Sequence, residues 1–221
     1  MKLQPVVGYY GLWVALTYLS VIVAILGIHF ALMENVRYAL VCLMISGVCD
    51  MFDGRVASLF KKRNTREKHY GIQIDSLADI ISFGVLPAAI GYGERYYAVH
   101  KFISLGWFDT AVFPIYLMAA LIRLAYYNVI ETELHGQNKK RTYYEGLPVT
   151  SVAIIIPLVY AICHIFDKSI FGIYNILLIF LSAAFVLKIR VPKPHARTQI
   201  VLCVIGLPII IYILFLCFRK V

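Results

Sequence analysis

The stretches DMFDGRVAS, residues 50–58, and GIQIDSLAD, residues 71–79, set four aspartates among apolar neighbours: Asp50, Asp53, Asp75 and Asp79. A carboxylate in the hydrocarbon of a membrane costs about 3 kcal/mol on insertion scales, so four of them need a compensating charge or an aqueous cavity. Divalent metal ions would supply that charge. These two stretches therefore indicate both the functional region and the class of fold around it.

The rest of the chain has the composition of a membrane protein. Of its 221 residues 61% are hydrophobic and 15% charged, and the mean hydropathy is +0.79, whereas a soluble domain is about half apolar. Apolar windows of about 20 residues predict seven spans, at 8–32, 36–60, 71–93, 105–130, 146–166, 168–188 and 199–218. We therefore predict an all-α integral membrane protein, a polytopic bundle of about seven transmembrane helices (six to eight), as a single domain over 1–221.

Basic residues collect in the loops at 61–68, 131–145 and 188–197. Lysine and arginine favour the cytoplasmic side, and an even number of spans separates these loops, so all three are predicted to face the cytoplasm. The expected location is the cytoplasmic membrane. Such loops also face anionic headgroups, so the net charge of +9 indicates a lipid bilayer as partner and no nucleic acid.

The aspartates fall into two pairs with helical spacing. Asp50 and Asp53 are three residues apart, and Asp75 and Asp79 four apart, so each pair shares one helix face. Each pair lies at the cytoplasmic end of its span, so two antiparallel helices should bring the four carboxylates together. All-oxygen ligands favour magnesium, manganese or calcium over zinc. Two such ions about 4 Å apart can bridge phosphate oxygens, which predicts phosphoryl displacement on a lipid diphosphate.

Small residues accompany the aspartates. Gly54 follows Asp53, Ala57 lies one turn further on, and Gly71 lies one turn before Asp75. Such positions let a bulky ligand approach the backbone closely. The alternative is that they only let helices pack together, as small residues do in membranes.

These residues in order (Asp50, Asp53, Gly54, Ala57, Gly71, Asp75 and Asp79) resemble the signature of the CDP-alcohol phosphotransferase family. Four further segments are similar to the bacterial integral-membrane phosphatidylserine synthase branch of that family: DSLADIISFGVLPA (75–88), LIRLAYYN (121–128), GLPVTSVA (146–153) and KIRVPKP (188–194). The resemblance implies a CDP-alcohol phosphotransferase fold with its core at about 10–190 and an extra C-terminal helix at about 199–218.

The resemblance implies transfer of the phosphatidyl group of CDP-diacylglycerol to the hydroxyl of L-serine, with release of CMP. It implies that Asp50, Asp53, Asp75 and Asp79 bind two divalent ions, magnesium or manganese with calcium as a further candidate, and that Asp79 is the general base. The residues implied to contact CDP are Asp53, Gly54, Ala57, Ser58, Gly71 and Asp75. A homodimer is also implied.

The chain departs from the family pattern in two places. Ser58 stands where the family has an arginine, and the connection from there to Gly71 is longer than usual. Contacts to cytidine and diphosphate would then need a substitute for that arginine. The candidates are Arg55, Lys61, Lys62 and Arg63.

The acceptor site has three candidate residues. Arg123 near the end of the fourth span would hold the serine carboxylate in a bidentate pair, or it snorkels to the interface. Asn128 would bond the substrate or a loop, or it caps its helix. Arg141, in RTYYEGLP at 141–148, is a candidate for binding phosphate.

Two other functions are alternatives to this one. A sister enzyme of the family would use the same aspartates with glycerol 3-phosphate or an inositol phosphate as acceptor. A cation transporter would have acids near the bilayer midplane and often internal repeats, whereas here the acids lie at one end of their helices and no repeat is evident.

Overall fold

The computed structural model describes residues 7–60, 63–101, 107–136, 143–192 and 196–218, which form a bundle of helices. The α-helices are α1 Ala15–Leu32, α2 Val36–Leu59, α3 Thr65–Asp79, α4 Leu86–Lys101, α5 Trp107–Gly136, α6 Val152–Ile165, α7 Phe171–Val186 and α8 Ala196–Phe218. Short 3₁₀ helices cover Leu12–Val14 and Val149–Ser151, and a π-helical segment covers Ile80–Val85. Strands β1 Tyr143–Glu145 and β2 Arg190–Pro192 pair antiparallel.

The predicted all-helical class is confirmed, and each of the seven predicted apolar stretches coincides with helix. The third of them is α3, the π segment and α4 in one continuous run, which begins at Thr65 and not at residue 71. A capping box explains the earlier start, because the Asn64 side chain accepts from the backbone N–H of Glu67 and the Glu67 carboxylate accepts from that of Asn64. The short strands were not predicted.

The chain is a membrane protein. Three of its described helical stretches are long and apolar enough to cross a membrane, namely Leu12–Leu32, Thr65–Gly93 and Ala111–Glu133. Val149–Ile165, Gly172–Val186 and Cys203–Phe218 are apolar but shorter, and α2 carries charged residues toward both ends. The number of spans therefore stays a prediction.

Small residues bring α1 and α2 close together. Ala24 and Ala31 on α1 and Ala39 on α2 are fully buried. A Cβ added to Gly27 would lie 2.8 Å from Cβ of Cys42, which shows how near the two backbones are. Close backbone approach at small residues is the usual way that helices pack within membranes.

A proline in the third run is accommodated by a buried tyrosine. Pro87 has no N–H to donate to the carbonyl of Phe83, four residues earlier. The hydroxyl of Tyr116 on α5 donates to that carbonyl instead, at 2.6 Å, and the Tyr174 hydroxyl on α7 donates to the carbonyl of Pro87 at 2.7 Å. These bonds satisfy backbone groups that the bilayer could not, and they hold α5 and α7 against the π segment and α4.

Candidate metal centre

The carboxyl groups of the four aspartates meet between the last turns of α2 and the C-terminal half of α3. One carboxylate oxygen from each of Asp50, Asp75 and Asp79 lies within 4.8 Å of the other two. The carboxyl groups also pair across the two helices, since Asp50 is within hydrogen-bonding contact of Asp79 and Asp53 of Asp75. The structure therefore gathers both pairs into one cluster, with Asp53 at its edge.

The cluster is shielded from water and holds like charges. Asp53 is only 8% exposed, and Asp50, Asp75 and Asp79 are half-buried. The charged neighbours that act on each of these carboxylates are other aspartates of the cluster. Like charges at this separation repel strongly where water is scarce. A set of carboxylate oxygens without histidine or cysteine therefore fits hard divalent cations.

Helix α1 contributes hydroxyl groups to a polar layer beside the acids. This polar layer consists of Thr17, Ser20, Ser46 and Ser82. The Thr17 hydroxyl lies 3.5 Å from Oδ2 of Asp53, to which it donates. The hydroxyls of Ser20 and Ser82 lie 3.1 Å apart, and the Ser46 hydroxyl donates to the carbonyl of Ser20 at 3.2 Å. All three serines are buried. These hydrogen bonds connect α1, α2 and the π segment beside the cluster.

Sequence reasoning missed this polar layer, although the spacing of two of its serines from the acids indicated it. Ser46 precedes Asp50 by four residues and Ser82 follows Asp79 by three, so each shares a face with an acid. The π segment begins immediately after Asp79. Single π-helical turns inside helices are frequent at functional sites.

The small residues have different surroundings. A Cβ on Gly54 would meet no atom of the described residues within 4 Å, so Gly54 opens onto free space beside Asp53 and does not serve helix packing there. Ala57, one turn on, is half-buried. A Cβ on Gly71 would lie 3.2 Å from Cζ3 of Trp13 and 3.6 Å from Nη1 of Arg63. Gly71 thus leaves room for these two side chains.

Ser58 lies at the end of α2. Its side chain is exposed, and its hydroxyl donates to the carbonyl of Arg55 at 2.6 Å. It therefore brings no positive charge to the position that the family pattern gives to arginine. Of the candidate substitutes for that arginine, Lys61 and Lys62 lie outside the described residues. Arg141, the separate candidate for binding phosphate, also lies outside them.

Arg123 is buried within the bundle, which favours a role inside the protein over the snorkelling alternative. It is 7% exposed, its Nε donates to the carbonyl of Leu147 at 3.2 Å, and its Cζ lies 5.1 Å from the ring centroid of Tyr127. The reason is the loop that follows β1, which folds over α5 and offers a carbonyl to the guanidinium. Arg123 consequently joins α5 to the segment 146–151.

Asn128 does not cap a helix, because α5 continues to Gly136. Its Oδ1 accepts a hydrogen bond of 2.8 Å from the hydroxyl of Ser76, which directly follows Asp75 on α3. The capping alternative is therefore wrong. The residue instead couples α5 to the helix that carries two of the acids.

The segment 146–151 is held beside the cluster. Gly146 has φ of 80°, a conformation that favours glycine, and its N–H donates to the carbonyl of Ile189 at 2.8 Å. Further along, α6 packs on α2 so closely that a Cβ on Gly47 would lie 2.5 Å from Cβ of Ala153. Gly47 precedes Asp50 by three residues. The segment therefore runs between Arg123 and the turn of α2 that carries the first acid.

Comparison with known proteins defines the class. The sequence profile of the family described as CDP-alcohol phosphatidyltransferase matches residues 14–188, which include all four aspartates. The chain belongs to the CDP-alcohol phosphatidyltransferase family, and the family prediction is confirmed. Metal dependence is general in this family, and the aspartate cluster is present here.

Several curated proteins are similar to the chain. The CDP-diacylglycerol–serine O-phosphatidyltransferase of Saccharomyces cerevisiae is 36% identical over 60% of this chain and 46% of its own length. That of Helicobacter pylori is 31% identical over 68% and 55%, and the archaetidylserine synthase of Methanothermobacter thermautotrophicus is 29% identical over 65% and 52%. The chain thus spans about half the length of the curated relatives it matches.

Proposed function

We propose that the chain is a phosphatidylserine synthase, which transfers the phosphatidyl group of CDP-diacylglycerol to the hydroxyl of L-serine and releases CMP. The observation that carries the proposal is the cluster of Asp50, Asp53, Asp75 and Asp79 at the junction of α2 and α3. The curated relatives support serine as the acceptor, because two of those described above are named for transfer to serine and the third for archaetidylserine.

We propose that the four aspartates hold two divalent ions, magnesium or manganese, with calcium as a further candidate. The donor set supports this, since it consists of carboxylate oxygens whose own repulsion a cation would relieve. When bound, such ions offset the charge of a diphosphate and stabilise the departing phosphate.

In the proposed reaction Asp79 accepts the proton of the serine hydroxyl. The hydroxyl oxygen then attacks the phosphorus that carries the diacylglyceryl group. The bond from that phosphorus to the oxygen bridging the two phosphates breaks, and CMP leaves with the electron pair. Asp79 suits this role because it is the last residue of α3, half-buried and in contact with Asp50, so its carboxylate lies inside the cluster where the serine hydroxyl would meet the substrate.

The nucleotide is proposed to lie along the face of Gly54, Ala57 and Gly71, in contact also with Asp53, Ser58 and Asp75. The free space beside Gly54 supports this placement, because a bulky ligand can approach the backbone there. We call the region between α2 and α3 the nucleotide side of the site.

We propose that L-serine binds on the opposite side, between α5 and the segment 146–151, which we call the acceptor side. Arg123 is the candidate for the serine carboxylate, and Asn128 for orienting α3 through Ser76. Arg141 remains a candidate for phosphate. The burial of Arg123 supports the role, because a buried guanidinium binds a carboxylate more tightly than an exposed one.

The proposed setting is the cytoplasmic membrane, with the site facing the cytoplasm and the protein a homodimer with one catalytic domain per chain. The basic residues of 61–68, next to the acid-bearing ends of α2 and α3, support this orientation. They lie where anionic headgroups and a water-soluble acceptor are both accessible.

An acceptor panel tests the proposal. Purified protein in detergent is given CDP-diacylglycerol and magnesium or manganese, and CMP release is measured with L-serine, glycerol 3-phosphate or an inositol phosphate. Release that requires both serine and metal is expected. Release with another acceptor in place of serine would assign a sister activity. No release with any acceptor would refute the enzyme class and would leave the cation transporter as the alternative.

A further inference from the structure

Arg63 stands next to the nucleotide side with part of its guanidinium group unsatisfied. The residue is half-buried, and its Nε is buried without a hydrogen-bond partner among the described residues. A buried N–H that makes no hydrogen bond is costly, and that of a charged group more so. A ligand with anionic oxygens would satisfy it.

The side chain is held in place by aromatic rings. Cζ of Arg63 lies 5.2 Å from the ring centroid of Trp13, within the range of a cation–π interaction. Trp13 is 8% exposed, and the ring of Tyr70 meets it edge-on at 6.3 Å between centroids. The guanidinium is therefore oriented before any ligand arrives.

The one acidic residue in the first turn of α3 is already engaged. Glu67 closes the capping box with Asn64, with its Oε2 2.7 Å from the backbone nitrogen of Asn64. The capping box also fixes Arg63, which directly precedes Asn64. The backbone of Arg63 is thus defined while its guanidinium stays available.

Arg63 lies one helical turn from the acids. Its Nη1 is 3.6 Å from the position of a Cβ on Gly71, and Gly71, Asp75 and Asp79 follow one another at intervals of four residues on a single face of α3. Four residues correspond to about 6 Å along a helix. A diphosphate bound at the acids would therefore have its second phosphate near Arg63.

We propose that Arg63 binds the phosphate of the CMP half of the substrate and takes over the charge of the arginine that is absent at Ser58. This inference rests on the proposed function and identifies the residue that serves the leaving group. As the bond between the two phosphates breaks, negative charge grows on the phosphate of CMP. A planar guanidinium fork beside that phosphate stabilises the charge. Arg63 lies in the stretch from Ser58 to Gly71, which is longer than in the family pattern, and its Nη1 reaches Gly71.

The primary test compares Arg63→Gln with Arg66→Gln, which removes an exposed charge from the first turn of α3. In neutral detergent micelles we expect Arg63→Gln to raise the KM for CDP-diacylglycerol and the inhibition constant of CMP by about tenfold or more, with the KM for serine within about twofold. Arg66→Gln should leave all three unchanged. Unchanged values in Arg63→Gln, or an equal rise in both KM values, would overturn the proposal.

A second arm asks whether one arginine replaces the other. Adding Ser58→Arg to Arg63→Gln should return the KM for CDP-diacylglycerol to within about threefold of the starting protein. No recovery would overturn the claim that Arg63 stands in for the missing arginine. If Arg63→Gln does not fold, Arg63→Lys keeps the charge but loses the fork, and an unchanged KM for CDP-diacylglycerol in that variant would overturn the proposal equally.

Two further measurements are needed. One distinguishes the phosphate of CMP from that of bulk anionic lipid, and the other distinguishes failure of the Arg63 proposal from failure of the proposed function. If Arg63 bound bulk anionic lipid instead, Arg63→Gln would lose only the stimulation by added anionic phospholipid, and the proposal would be overturned. Thermal stabilisation by CMP with magnesium needs no acceptor, and at the same CMP concentration we expect it to be smaller in Arg63→Gln than in the unmodified protein. That difference would support the role of Arg63 in binding CMP even if serine failed as acceptor. Serine-dependent release with equal stabilisation of both proteins would overturn the role of Arg63 and leave the proposed function in place.

Discussion

The nucleotide side and the acceptor side of the site are assembled differently. On the nucleotide side, α2 and α3 are consecutive in the chain, and one short connection brings their acids together. On the acceptor side, Arg123 on α5 bonds the carbonyl of Leu147, and Asn128 bonds Ser76, 52 residues away. The first arrangement is fixed by helical spacing, and the second depends on how separate elements dock. The metal chemistry can therefore be common to a family while the choice of acceptor varies.

The largest expected effect is on the nucleotide side, at Asp79. We expect Asp79→Asn to lower turnover by about a thousandfold or more, because it removes the proposed general base, while thermal stabilisation by CMP with magnesium is largely retained. Serine-dependent CMP release measures the first effect and a melting curve the second.

Asp167→Asn is the matched control for that substitution. Asp167 is exposed in the loop between α6 and α7 at φ of 52°, a conformation that asparagine also adopts. It should keep full activity. Substantial turnover in a folded Asp79→Asn variant would remove Asp79 from the base role.

The next largest effect should separate the two sides at Arg123. We expect Arg123→Lys to raise the KM for serine by roughly tenfold to a hundredfold, since lysine cannot reproduce a bidentate contact with a carboxylate. The KM for CDP-diacylglycerol should change by no more than about threefold. A parallel rise of both KM values would mean that Arg123 only anchors the segment 146–151.

A smaller effect is expected at Gly54, where the space for a side chain is free. Gly54→Ala should leave the melting temperature unchanged or raise it slightly, because alanine favours helix over glycine by about 1 kcal/mol. The KM for CDP-diacylglycerol should nevertheless rise several-fold as the methyl group enters the nucleotide side.

Gly206→Ala is the control, because a Cβ at Gly206 on α8 likewise meets no atom within 4 Å among the described residues. It should share the effect on stability and leave the KM values unchanged. Equal kinetics in the two variants would argue against a ligand beside Gly54.

The smallest effect should come from the bond that links the two sides. Ser76→Ala removes the donor to Asn128 and should lower stability by about 1 kcal/mol and turnover only a few-fold. Thr132→Val, which removes a hydrogen bond within α5 to the carbonyl of Asn128, should affect stability alone. Identical kinetic losses in both would show that the link to α3 has no separate role.

The nucleotide side was predictable because its information is local. Intervals of three and four residues put Asp50 with Asp53 and Asp75 with Asp79 on shared faces, and the apolar stretches between charged loops marked the helices. The start of α3 was misplaced because the capping box at Asn64 extends the helix into a polar stretch.

The acceptor side was not predictable because its contacts join distant elements. No spacing rule connects Arg123 with Leu147, or β1 with β2. The snorkelling and capping alternatives for Arg123 and Asn128 assumed a helix that ends near residue 128, whereas α5 continues to Gly136. The polar layer is an intermediate case. Two of its members, Ser46 and Ser82, lie at helical spacing from the acids, yet their contact with Ser20 on α1 appears only in three dimensions.

The proposed reaction depends on divalent ions that the aspartates of α2 and α3 hold together. Manganese binding to the purified protein, measured by calorimetry in the presence of CMP, tests it without relying on turnover. We expect two manganese ions per chain, with binding lost or greatly weakened in Asp50→Asn combined with Asp75→Asn and kept in Asp167→Asn. Equal stoichiometry and affinity in the unmodified protein and both variants would mean that these aspartates do not bind the ions.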